Sequence, residues 1–144
     1  ILNDYHLEFE SIIFKPFTIY LGTIFVFMAL GYSLLGITSL LALSYQSDFR
    51  HFLTTGAFSL TFFMVMVIIA YVHTGREIVS KVWIAVGFVL LLLATLIRVG
   101  AFLAQEYYIT MIISSSILYV LPFILYFFKT KAFLLSPRFD GIKG

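Results

Sequence analysis

His51, His73 and Arg98 are the residues of this sequence best placed to do chemistry, because each bounds or interrupts a long apolar run. A neutral imidazole is the commonest side-chain metal ligand, and it serves as an axial ligand to haem iron or as a ligand to copper. An arginine inside an apolar segment is costly and by default marks a function. Its planar fork suits a carboxylate or another anion. His51 and His73 open and close one run and stand 22 positions apart. At the rise of an α-helix that is roughly 33 Å. The two therefore cannot hold one metal within one chain, and each would need partners from elsewhere.

Each of the three also has a plain structural reading. His73 begins "HTGR", where Gly75 suits the left-handed position that ends a helix and His73 suits the negative end of the helix dipole. This motif is then a cap with a basic membrane anchor. His51 is then an interfacial histidine at a helix start, with Thr54 and Thr55 one turn on. Arg98 is then a snorkelling side chain that reaches toward Glu106, Asp48 or a lipid phosphate. Against this stands a shared site. If neighbouring helices are antiparallel, His51 and Arg98 reach the same membrane face, where imidazole and guanidinium would meet one ligand.

The elements that position these residues follow from composition. Hydrophobic residues make up 62% of the 144-residue chain and charged residues only 11%, against about 25% charged in an ordinary soluble domain. A mean hydropathy of +1.07 excludes a chain that covers itself with a water-facing surface. Four apolar runs, Phe17–Leu43, His51–Val72, Val82–Ala104 and Tyr107–Phe128, each meet the length of about 20 residues that crosses a bilayer. None alternates with period two, so a barrel is disfavoured. The expectation is an all-α, four-transmembrane-helix antiparallel bundle. It forms a single transmembrane domain over residues 1–144 with a tail at 129–144.

Helix contacts are expected at the small-residue pairs Ala29/Ser33, Thr55/Ser59, Thr110/Ser114 and Gly100/Ala104. Pro122 should kink the fourth helix. Lys15, Arg76, Lys81, Lys129, Lys131, Arg138 and Lys143 fall on one side, and Arg50 and Arg98 on the other. This asymmetry predicts both termini in the cytoplasm.

No cysteine is present, which removes disulfides, thiolate metal sites and cysteine nucleophiles. Met28, Met64, Met66 and Met111 are scattered and read as core filler. No phosphate loop, zinc-protease motif or dinucleotide fingerprint occurs. No basic run suited to nucleic acid is visible either. The expected surroundings are the lipid bilayer and upstream transmembrane helices or other subunits.

Three stretches together resemble a known family. They are "RHFLTTGAFSLTFFMVMVIIAYVHTGRE" from Arg50 to Glu77, "LIRVGA" from Leu96 to Ala101, and "LSPRFDGIKG" at the end. The chain is similar to the C-terminal part of the NnrS family, polytopic bacterial membrane proteins that bind haem and copper and are linked to nitric oxide metabolism. In that family a "HALTVG…HTGR" segment sets two histidines at this distance. His51, Leu53, Thr54, Gly56, His73, Thr74, Gly75 and Arg76 match it, Arg98 matches an arginine near the end of the next span, and Pro137, Arg138, Asp140 and Gly141 match the tail. The first span fits by order and hydropathy. The chain departs from the family's "MTR" triplet, because Val67 and Ile68 follow Met66.

The resemblance implies an inner-membrane protein that binds haem, and copper as a second metal. His51, His73 and Arg98 would be its cofactor-binding residues, with His51 and His73 as metal ligands. The chain is expected to be part of a longer polypeptide. Two rival readings are a transporter or channel segment with Arg98 as anion contact, and a structural bundle in a larger complex. The sequence displays no acid–base pair and no nucleophile that would assign a reaction.

Overall fold

A computed structural model describes residues 16–78 and 81–138. Four helices long and apolar enough to cross a membrane run Pro16–Leu40, Gln46–His73, Val82–Leu103 and Gln105–Leu134. No strand occurs among the described residues. Short connections make sequential spans antiparallel. The second span lies between the first and the third, and the fourth packs along the third.

The core sits on the second and third spans. Leu60, Phe63, Val67, Ile84 and Leu91 are fully buried there. Around Phe63, aromatic rings from three spans meet edge to face. Trp83 is at 6.4 Å and Phe123 at 6.1 Å. Polar cross-links tie the fourth span to its neighbours. Ser115 Oγ donates to the Ala94 carbonyl at 2.9 Å, and Tyr126 Oη donates to the Met66 carbonyl at 3.3 Å. In lipid, which rewards packing and hydrogen bonds rather than apolar burial, such contacts hold a bundle together.

Of the small-residue pairs expected from the sequence, Thr55/Ser59 supplies a contact, through Ser59 to Tyr119 of the fourth span, while the closest approaches fall at glycines outside those pairs. A Cβ at Gly31 would lie 2.5 Å from Leu53 Cδ2, one at Gly56 2.8 Å from Phe27 Cδ1, and one at Gly87 2.5 Å from Phe63 Cζ. Ala29 and Ser33, by contrast, are exposed. The helical assignment continues through Pro122 to Leu134, beyond the Phe128 expected from hydropathy.

The second span is not uniformly α-helical. Phe52–Phe58 form a π-helix between the α-helical segments Gln46–His51 and Ser59–His73. The wide turn needs cover, since loose backbone groups in lipid are expensive. Ser59 Oγ lies 3.0 Å from the Thr54 carbonyl and 2.9 Å from Tyr119 Oη. The first span and the third both pack against this segment.

The span closes as "HTGR" predicts. Gly75 has φ 68°, Arg76 N–H donates to the Tyr71 carbonyl at 3.0 Å, and Gly75 N–H donates to the Val72 carbonyl at 3.1 Å. This is the paired Schellman closure. Gly75→Val should cost about 2 kcal/mol, because a branched L-residue is strained in the left-handed region. Thermal unfolding in detergent checks this, and an unchanged midpoint would show that the turn relaxes without glycine. The first span closes the same way at Ala42, with φ 51°, and Leu43 N–H donates to the Thr38 carbonyl at 2.9 Å.

Candidate functional site

His51 stands where the first α-turns of the second span widen into the π-helix. Its ring is half-buried. Nδ1 lies 3.3 Å from Thr54 Oγ1 and 3.4 Å from Thr55 Oγ1. Thr54 Oγ1 in turn donates to the Arg50 carbonyl at 3.4 Å, so its oxygen is left to accept from an Nδ1–H. That tautomer leaves the lone pair on Nε2 for another ligand. Histidines that bind metals are commonly held this way, one nitrogen fixed by a hydrogen bond and the other at the metal.

Arg98 lies in the last α-turn of the third span, where a helix end favours a cation. The segment Gln46–His51 packs against this span, and the charges of Arg98, Asp48 and Arg50 act on His51. His51 and Arg98 thus belong to elements that pack together at this end of the bundle. The carboxylates expected as outlets for Arg98 are not used. Among the described residues it forms no ion pair with Asp48 or Glu106, and Nη1 is buried without a hydrogen-bond partner. A buried guanidinium nitrogen left unpaired is expensive, and an anion would satisfy it.

Two cavities adjoin this end of the bundle. One, of about 440 Å³, is lined by Ser44, Tyr45, Asp48, Phe102, Gln105 and Tyr108. The other, of about 670 Å³, is an apolar groove between the first and second spans. Its walls include Met28, Tyr32, Leu53, Thr54, Phe58 and Thr61. Thr54 touches His51 and also lines this groove. A volume of this size is within the range of organic cofactor sites, about 300–1,000 Å³.

His73 is elsewhere. It is exposed at the other end of the second span, in the last turn before the Schellman closure. No group of three His, Asp or Glu side chains able to hold a metal ion occurs among the described residues. Of the residues matched to the expected tail motif, Asp140 and Gly141 lie outside the described residues. The features that sequence reasoning missed are the π-helix and the groove beneath it. Gly56, buried in the wide turn, was their one signal.

Four membrane-length helices, polar cross-links between them and a histidine and arginine at one face define a multi-pass helical membrane protein. The chain belongs to the NnrS family, whose model, described as NnrS protein, matches residues 1–138. That match extends over the first span, where the sequence offered order and hydropathy alone. No curated protein and no solved structure matches the chain.

Proposed function

We propose that this protein is a haem-binding inner-membrane protein linked to nitric oxide metabolism or nitrosative-stress protection, in which His51 offers Nε2 to iron and Arg98 takes a haem carboxylate. The observation that carries the reading is the buried, unpartnered Nη1 of Arg98 on the span against which His51's segment packs, together with an imidazole whose Nδ1 is already engaged. A bound haem would supply an iron centre able to ligate nitric oxide. The threonine hydroxyls orient the imidazole, the Arg98 charge favours an anionic group, and the groove at Thr54 excludes water from an apolar ring. Copper, and a metal at His73, would need ligands other than a cluster of His, Asp and Glu side chains among the described residues.

An optical spectrum of the purified intact protein, with metal analysis, tests the reading. A Soret band with stoichiometric iron is expected. An unpigmented protein that carries an anion across the membrane would replace this reading with the transport one, in which Arg98 contacts the cargo. Arg98→Leu separates ligand from scaffold. It should weaken haem binding about tenfold, the worth of one charged hydrogen bond, yet raise the unfolding midpoint of the haem-free protein by removing an unsatisfied buried charge. A variant less stable without haem would show that Arg98 has a structural partner.

We also propose that both termini face the cytoplasm, from the seven basic residues on that side against two on the other. Reporter fusions after Asp48 and after Gly144 should read external and cytoplasmic respectively. External activity at the C-terminus would reverse the assignment.

A further inference from the structure

The end of the bundle opposite His51 carries a second group of unneutralised cations. Tyr71 of the second span and Phe133 of the fourth hold their ring centroids 5.4 Å apart. Each ring carries a cation. Arg76 Cζ stands 4.9 Å from the Phe133 centroid, and Lys81 Nζ stands 5.7 Å from the Tyr71 centroid. Such contacts orient a cation without cancelling its charge. Arg76 Nη1 is also buried with no hydrogen-bond partner among the described residues. The nearby carboxylate of Glu77 is exposed and forms no ion pair with either cation among those residues. The Schellman closure at Gly75 fixes where Arg76 leaves the helix, since its own N–H is bonded to the Tyr71 carbonyl. Apolar side chains border the pair on the outside. Val72, Ile78, Val82 and Leu134 are all strongly exposed.

We infer that Arg76 and Lys81, mounted on the Phe133–Tyr71 ring pair, form a binding site for the phosphate of an anionic phospholipid headgroup. An unsatisfied guanidinium and an ammonium on adjoining rings match phosphate oxygens. The level is that of the headgroups, because the second span ends here and the third begins. The exposed apolar rim provides a bed for acyl chains, which a free phosphate would not use. Basic pockets between helix ends take headgroups in this manner. The site lies at the other membrane face from His51 and does not depend on haem binding.

The test uses the intact protein in a neutral detergent with fluorescently labelled phosphatidylglycerol, and labelled phosphatidylcholine as the zwitterionic comparison. Saturable binding of phosphatidylglycerol is expected, with phosphatidylcholine much weaker. Lys81→Gln alters an exposed side chain and should fold normally. It should weaken binding about fivefold, the effect of one basic residue at an anionic headgroup. Arg76→Gln should weaken it at least as much. Lys131→Gln, which removes a cation held over Phe128 at 4.9 Å instead, should leave binding unchanged. Equal binding by wild type and the Lys81→Gln variant would overturn the site. Competition by millimolar inorganic phosphate as effective as that by unlabelled phosphatidylglycerol would overturn the lipid as occupant and assign the site to free phosphate.

Discussion

His51→Ala is expected to abolish the Soret band of the purified intact protein while leaving its helical content and unfolding midpoint nearly unchanged. The two halves of this result come from different contacts. Among the described residues, the ring's hydrogen-bond partners are the hydroxyls of Thr54 and Thr55. Thr54 keeps the Arg50 carbonyl as a partner when the ring is gone. A half-buried, weakly bonded side chain should cost only about 1 kcal/mol on truncation. In the proposed site the imidazole would be the iron ligand, so its removal should cost pigment while stability is kept. His73→Ala, at the exposed far end of the span, is expected to retain full pigment. Full haem in the His51→Ala protein would place the iron ligand outside this site.

The largest effect on folding is expected from Gly87→Leu, which should prevent recovery of folded protein. A Cβ at this position already comes within 2.5 Å of Phe63 Cζ and 3.1 Å of Cε1. Phe63 cannot move aside, because it is fully buried and its ring is set edge-on against Trp83 and Phe123. Overpacking of such a site costs about 1–3 kcal/mol, and more where the neighbour is held on several sides. A large part of a typical net stability of about 5–15 kcal/mol would go. Gly36→Ala is the control. Nothing lies within 4 Å of a Cβ there, and alanine should be tolerated or slightly stabilising in the helix. Equal yields of the two variants, read by size-exclusion chromatography, would mean that the second and third spans can separate at this contact.

The number of spans and their order were legible because lipid imposes a length on every apolar run. The closure at Gly75 was legible for a local reason: a glycine between a helical run and a basic residue has few other uses. The contact faces were legible only in part, at Ser59. Both the inward and the outward face of a membrane helix are apolar, so hydropathy does not mark the buried one. Ala29 and Ser33 have the right spacing yet look outward, whereas Gly31, two positions from each, meets Leu53. The continuation of the fourth helix to Leu134 was hidden because Lys129 and Lys131 end the apolar run without ending the helix. At the candidate site, residue types pointed to His51 and Arg98. The isolation of the guanidinium was not visible, since Asp48 and Glu106 stand close enough in the chain to have been its partners.

The wide turn at Phe52–Phe58 has a consequence for direction. Nine positions separate His51 from the fully buried Leu60. In an unbroken α-helix each residue advances about 100° around the axis, and those two side chains would point about 180° apart. His51 would then face lipid. Residues in a turn closed i to i+5 advance less, and the accumulated lag rotates the segment Gln46–His51 toward the third span and the charge of Arg98. That lag is about one residue's step, so loss of one residue between Phe52 and Phe58 would let the stretch close as an ordinary α-helix with the imidazole still turned the same way. The azimuth of His51 is thus encoded by a count of residues, one more than an unbroken α-helix would need for the same facing, and the wide turn is where the extra residue is taken up.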